Sequence, residues 1–229
     1  MEWVFLRETD STNRVAKELA RQGAPHGTAV LAERQTAGRG RMERQFFSPE
    51  GGLYLSVVLR PDLSPEDLSL MTPMAAVAVR KAVEKHTGIR LGIKWVNDLY
   101  LEGKKACGIL CECAGDAVIV GVGLNLKTPE GDFPPQLNAV ALDDGCSARD
   151  LASVIAQELL AGCEALACGQ VPREYIENNL VCGRELTVHP VSGAPYHARG
   201  LQIDRRGRLT VQTDRGEQLL DGGEVSIQF

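Results

Sequence analysis

The sequence predicts an α+β protein in which a mixed, largely antiparallel sheet is flanked by helices and followed by a small β-barrel. Three observations carry this. Strand-like segments follow one another in hairpin succession between Ile89 and Leu126, turned at Glu102-Gly103 and Gly115-Asp116, and such a meander makes the sheet at least partly antiparallel. Long helical stretches are expected on either side of it, near residues 72–86 and from Ser147 to Leu166. From Val181 onward the texture changes to four or five short strands split by glycine-bearing turns at Ser192-Gly193, Arg206-Gly207, Arg215-Gly216 and Gly222-Gly223. Residues 1–180 and 181–229 are therefore expected to form two domains.

Glu2 to Arg7 is a short strand candidate. Asp10-Ser11-Thr12-Asn13 offers four residues that favour a helix start, Val15, Ala16, Leu19 and Ala20 then repeat at helical spacing, and Gly23 supplies the stop. Thr28–Glu33 and Leu53–Leu59 read as strands separated by a glycine- and arginine-rich loop over about residues 34–52. The next helix takes Thr72 as N-cap and Pro73 as its first residue, because an interior proline costs ~3 kcal/mol. It runs to about His86, with Gly88 beyond it. Ile89–Trp95, Lys105–Glu112 and Ala117–Leu126 are the strands of the meander, and residues 127–146, rich in Pro, Gly and Asp, make an irregular crossing. Ser147-Ala148-Arg149-Asp150 has capping-box spacing with Asp in place of Glu. It opens a helix with an apolar stripe of Leu151, Val154, Ile155, Leu159 and Leu166, and a short helix follows over Arg173–Asn179.

Composition narrows the function classes. With 229 residues, 44% apolar and 24% charged, the chain can bury a full core, which excludes intrinsic disorder. No apolar run approaches the ~18 to 20 residues of a membrane span, and the start has no basic n-region, so neither membrane insertion nor secretion is expected. Thirty acidic against twenty-five basic side chains give a net charge of -5, and aromatics are 5%, a poor endowment for phosphate backbones or base stacking. Seven cysteines without a CxxC fit a reducing, cytoplasmic setting. Cys107, Cys111 and Cys113 share strand parity, but they are one ligand short of a closed zinc site and read better as small apolar core residues. Cys168, among the others, carries no motif. The four histidines lack metal-like spacing, and no Ser or Cys sits in a nucleophile elbow.

Three clusters carry chemistry. In Arg34-Gln35-Thr36-Ala37-Gly38-Arg39-Gly40-Arg41 the glycines let backbone N–H groups approach an anion while guanidinium forks match phosphate oxygens. A solvated basic loop fits these residues equally well. Lys94-Trp95-Val96-Asn97-Asp98, followed by Lys104-Lys105, brings Asp98 and Lys105 within reach of one site from paired strands, although a plain hairpin with exposed lysines has the same pattern. Gly121 and Gly123, inside an otherwise bulky strand, invite a ligand or another backbone to lie against them, although a bulge or tight packing fits them equally well.

The order of the motifs is more specific than any one of them. Asp10-Ser11-Thr12-Asn13, Gln35-x-x-Gly38-Arg39-Gly40-Arg41, Phe47-Ser48-Pro49, Leu53-Tyr54-Leu55-Ser56, Lys94-Trp95-x-Asn97-Asp98-Leu99-Tyr100, Lys105-x-x-Gly108-Ile109-Leu110-x-Glu112 and Gly121-x-Gly123-x-Asn125 follow in turn. This series resembles the biotin protein ligases, which charge acetyl-CoA carboxylase and related carboxylases. The match runs from residue 9 to about 127, and the closing segment with Gly222-Gly223-Glu224 is similar to their small C-terminal domain.

The resemblance implies a class II synthetase-like catalytic domain with an SH3-like barrel, and two half-reactions at one site. Biotin would attack the α-phosphate of Mg2+-ATP to give biotinyl-5'-AMP and pyrophosphate; a lysine of a biotin carboxyl carrier protein would then take the biotinyl group. It implies catalytic roles for Lys105, Arg41 and Asp98, the last to hold or deprotonate the acceptor amine. By the same resemblance Ser11, Thr12, Asn13, Gln35, Arg39, Gly40, Arg41, Lys105 and Gly108 would contact biotin. Gly38, Arg39, Arg41, Lys94, Asn97, Gly123 and Asn125 would contact ATP or the adenylate, with no metal ligand assigned to a side chain. The 34–48 loop suits a lid that keeps water from the mixed anhydride. Val96, Met42 and Phe46 depart from the family, standing where Pro, Arg or Leu, and Trp are common. Only nine residues precede the Asp10 motif, so no helix-turn-helix domain, no repressor function and no operator DNA are expected. A homodimer paired through sheet edges is compatible with the family. The alternative is a lipoate or octanoate ligase or transferase of the same fold, which the Arg-Gly-Arg loop and the Lys-Trp-x-Asn-Asp string disfavour.

Overall fold

Side-chain parity along three strands decides where the ligand face lies. In the computed structural model, which describes residues 1–128, 130–143, 145–166, 169–190 and 192–227, β1 (Trp3–Thr9), α1 (Thr12–Arg21), β2 (Ala29–Gln35) and β3 (Leu53–Leu59) come first. They are followed by α2 (Met71–Thr87), β4 (Gly92–Lys94), β5 (Asp98–Leu101), β6 (Lys104–Ala114) and β7 (Ala117–Leu124). These strands form one sheet of seven in the order β1-β2-β3-β7-β6-β5-β4. β1 and β2 are parallel and the remaining pairs antiparallel, the mixed sheet expected.

Leu53, Leu55, Val57 and Leu59 of β3, Val118, Val120, Val122 and Leu124 of β7, and Cys107 and Ile109 of β6 face one continuous core. That core is closed by α2 and by α3 (Ala148–Ala165), through Leu151, Ile155 and Leu159. Each fully buried Leu or Ile there contributes about 1.5–3 kcal/mol. The opposite face carries Tyr54, Ser56, Gly108, Leu110, Gly121 and Gly123 by the same alternation. The ten-residue α1 covers only part of it, packing Ala16 and Ala20 on Val30, Val58 and Ile119. The cavity described below opens on the rest.

After α3 and the short α4 (Arg173–Glu177), β8 (Glu185–His189), β9 (Tyr196–Ile203), β10 (Leu209–Thr213), β11 (Gly216–Leu220) and β12 (Glu224–Ile227) form a second antiparallel sheet. Its order is β11-β10-β9-β8-β12. Among the described residues β11 and β12 do not pair, so this sheet is open where a closed barrel was expected. The Trp95 indole donates to the Gly207 carbonyl at 2.8 Å, and Arg206 donates to Asp67 at 3.0 Å, joining this sheet to the first. No described helix is long and apolar enough to cross a membrane.

Three expectations need correction. α2 begins at Met71 with Leu70 as N-cap, not at Pro73 with Thr72 as N-cap, because the single 3-10 turn Leu68–Leu70 runs straight into it. Pro73 stays within the first turn, where its missing N–H would have had no helical partner. Gly88 ends the helix as expected, at φ 76°, with its N–H on the Glu84 carbonyl at 2.9 Å. The meander has a fourth strand, β5, because the chain reverses at residues 95–97 and pairs Lys94 with Asp98. Ser147 does cap α3, accepting from the Asp150 N–H at 3.4 Å, whereas Ser11 precedes α1 without a side-chain cap bond. Among the described residues no three His, Cys, Asp or Glu side chains form a metal-holding group. Cys107 is buried in the core, Cys113 is exposed, and Cys168 lies outside the described residues.

Candidate active site

The start of α1, the end of β2, the 36–48 loop, the β4–β5 turn and strands β6 and β7 surround a cavity of about 300 Å3. Every residue expected at the site lines it except Gly38. Gly38 shapes the loop instead. A Cβ there would collide with the Ser48 hydroxyl and, at 2.5 Å, with the Phe46 carbonyl, so the glycine lets the loop fold back on itself.

The floor is a chain of uncharged polar groups. Gln35 Oε1 accepts from the Thr12 backbone N–H at 2.8 Å and lies 3.1 Å from the Thr12 hydroxyl, while Gln35 Nε2 donates to Ser48 Oγ at 3.0 Å. Ser48 passes its proton on to the Phe46 carbonyl at 2.9 Å. Ser56, fully buried on β3, sits 2.8 Å from the Thr12 hydroxyl and donates to Asn13 Oδ1 at 2.6 Å. Asn13 Nδ2 donates to Glu112 Oε2 at 2.8 Å and to the Leu110 carbonyl at 3.3 Å, and Lys17 closes the series on Glu112 Oε1 at 2.5 Å. Burial raises the Glu112 carboxyl pKa, but the Lys17 and Asn13 bonds outweigh it and hold the group below its ordinary range. Side chains that seed α1 therefore turn toward the sheet instead of capping their own helix.

The opposite wall is cationic. Lys105 Nζ lies 2.7 Å from Asp98 Oδ1, and Lys94 Nζ lies 4.0 Å from Asp98 Oδ2. The convergence of Asp98 and Lys105 expected from the sequence is thus present, carried by the register that pairs β5 with β6. Lys94 is only 6% exposed, and burial drives its ammonium pKa down against the pull of Asp98 and Glu224. Arg41 reaches Asn97 Oδ1 at 3.4 Å, Asn97 Nδ2 donates to the Ile109 carbonyl at 2.6 Å, and Arg39 is exposed on the loop. Asn125 is occupied structurally: its Nδ2 donates to the carbonyls of Lys105 at 3.2 Å and Val140 at 3.3 Å.

Several contacts at the site join residues that the sequence does not place together. Phe46, noted there only as a departure, lies under Lys105, whose Nζ is 5.8 Å from the ring centroid, and over Gly123, where a Cβ would come within 2.5 Å of the ring. A Cβ at Gly121 would collide with Asn13 Oδ1. The close approach that these two glycines permit is therefore used by the chain's own side chains. Arg44 meets Glu224 at 2.6 Å, which brings β12 to the rim. Phe133 and Gln136–Ala139 of the irregular crossing also line the cavity, and nothing in their sequence marks them.

The sequence profile of the Biotin/lipoate A/B protein ligase family matches residues 5–126, which include most of this site. Over 95% of the chain and 71% of the relative, the sequence is 35% identical to the bifunctional ligase/repressor BirA of Bacillus subtilis. It is 31% identical to the biotin–[acetyl-CoA-carboxylase] ligase of Mycobacterium tuberculosis, over 96% of the chain and 86% of that protein. Among solved structures, the biotin protein ligase from Aquifex aeolicus in complex with biotin and ATP superposes with a TM-score of 0.84 at 27% identity, covering 99% of this chain and 98% of that one. Motif order, sheet topology and these likenesses agree, and the chain belongs to the biotin/lipoate A/B protein ligase family.

Proposed function

We propose that the protein is an ATP-dependent biotin protein ligase that forms biotinyl-5'-AMP and transfers the biotinyl group to a lysine of a biotin carboxyl carrier protein in the cytoplasm. One observation carries the reading: a single cavity joins a neutral hydrogen-bonding floor to a wall bearing Lys94, Lys105, Arg39 and Arg41. A cyclic urea matches the floor, being donor and acceptor at once, and a carboxylate meeting a triphosphate needs the wall.

In the first step a biotin carboxylate oxygen bonds to the α-phosphorus while the bond to the β-phosphate oxygen breaks, and pyrophosphate leaves. Two anions meet, so Lys105, Arg39 and Arg41 lower the barrier by neutralising charge that concentrates between them. Magnesium would travel on the phosphate oxygens of ATP, its usual partners. In the second step the acceptor amine attacks the activated carbonyl and AMP departs. Asp98, which holds Lys105 at 2.7 Å, is the group nearest that lysine with an oxygen to offer the incoming amine. Residues 1–180 would carry the substrate pocket, and residues 181–229 would complete its rim through Glu224.

Pyrophosphate release from MgATP by purified protein, measured with biotin, with lipoate and with no acid, tests the reading. Stimulation by biotin alone supports it. Stimulation by lipoate alone keeps the family and overturns the substrate, and stimulation by neither overturns the activity.

A further inference from the structure

Glu112 does not line the cavity, yet it ends the hydrogen-bond chain that does. The direction of that chain follows from proton counting. A carboxylate and a backbone carbonyl can only accept, so the group of Asn13 lying between Glu112 Oε2 and the Leu110 carbonyl has to be its NH2. Asn13 Oδ1 must then face Ser56, which gives it the only proton Ser56 has, at 2.6 Å. Three oxygen–oxygen contacts, Ser56–Asn13, Ser56–Thr12 and Thr12–Gln35, share the two hydroxyl protons of Ser56 and Thr12. With Ser56 committed to Asn13, two hydroxyl oxygens 2.8 Å apart still need a proton between them, so the Thr12 proton is drawn from the longer 3.1 Å contact with Gln35 Oε1 to Ser56, which leaves Gln35, a residue that lines the cavity, with acceptor capacity to spare. Were Asn13 flipped, Ser56 would donate to Thr12 and Thr12 to Gln35, and that acceptor would be filled.

We propose that Glu112, held by Lys17 at 2.5 Å, is a positioning residue of the acid-substrate pocket: by fixing the Asn13 amide it sets the direction of the hydroxyl chain and keeps Gln35 ready to accept an N–H of the ligand. The proposal rests on the biotin-ligase reading for the identity of that ligand. Gly121 supports the arrangement, because its missing Cβ is what allows the Asn13 carboxamide to lie against β7.

Glu112→Gln separates positioning from packing. The shape is kept, but Lys17 draws the new carbonyl oxygen and the new NH2 faces Asn13, which flips to accept from it and gives up its weaker 3.3 Å bond to the Leu110 carbonyl. Biotin binding measured by calorimetry, and the KM for biotin in pyrophosphate release, should weaken roughly tenfold, about the worth of one hydrogen bond lost inside a site. The KM for ATP should stay within about twofold on the same argument, since no wall residue has moved. Adding Lys17→Met frees the introduced amide oxygen to accept from Asn13 and should recover most of the loss, which a merely structural role would not do. Unchanged biotin affinity in Glu112→Gln, an equal rise in both KM values, or a double variant no better than the single one would each overturn the proposal. The Asn13 side-chain amide resonances read the flip without any ligand. A wild-type protein that ignores biotin would therefore refute the functional reading, while an amide that does not change in Glu112→Gln would refute this one.

Discussion

Thr12, Asn13 and Gln35 on the floor of the cavity, with Ser56 and Glu112 behind them, bond to one another at 2.6–3.1 Å and are largely buried, whereas in the 36–48 loop the Arg41 side chain reaches Asn97 at 3.4 Å and Arg39 projects into solvent. The floor takes its geometry from folding, since each of its bonds is made with protein atoms. Arg44 of the loop is held by Glu224, but Arg39 and Arg41 are long cationic side chains for which the phosphates of a nucleotide would supply the partners. Under the proposed function one region would recognise a neutral group by shape and the other would gather charge as the reaction proceeds.

Five substitutions, the last read through a pH titration, probe this contrast. Lys105→Ala removes the cation at the junction of the two regions and should lower biotin-dependent pyrophosphate release by roughly a hundred- to thousandfold, as loss of a preorganised charge contact does. Normal release would remove Lys105 from the mechanism. Arg39→Ala touches only the loop and should raise the rate at which adenylate escapes into solution roughly ten- to hundredfold, with thermal stability unchanged. A trapped-adenylate assay showing normal retention would sink that role. Asp98→Asn should slow transfer from preformed biotinyl-AMP to carrier protein, and a wild-type single-turnover rate would show that the amine is handled elsewhere.

Smaller effects are expected on the floor. Gly121→Ala drives a methyl into Asn13 and should cost about 1–3 kcal/mol in urea unfolding. Equal stability would mean that α1 can shift at no cost. The Glu112 carboxyl is held below its ordinary value of 4.5, so its ionised form stabilises the fold above that value, and the contribution is lost as pH falls through the lower folded value. Glu112→Gln should therefore flatten the acid limb of a stability-against-pH profile below 4.5, and an unchanged limb would mean that the carboxyl is not perturbed.

The sequence made legible what is local or repeated along one element. Leu53–Leu59, the stop at Gly88, the Ser147 cap and the Glu102-Gly103 turn are each written within a few neighbouring residues. β5 is not legible, because a four-residue strand shares its first residue with the Asn97-Asp98 reversal, which leaves no alternation to read. Closure of the second sheet is not legible either, because strand number and turn spacing say nothing of whether the first and last edges meet. The expected site residues gathered because their motifs sit at strand ends. Contacts between distant positions had no such signal: Lys17 with Glu112, Phe46 with Gly123 and Arg44 with Glu224 join residues that only the sheet order brings together.

The Arg44–Glu224 and Trp95–Gly207 contacts also set a timetable for synthesis. Translation delivers the loop and the β4–β5 turn long before the residues that hold them, so the nascent chain carries the cavity's cationic side chains on a scaffold whose rim is incomplete. A ribosome that has joined anywhere from 127 to 206 residues has already made all the motifs of the pocket, with neither clasp yet available.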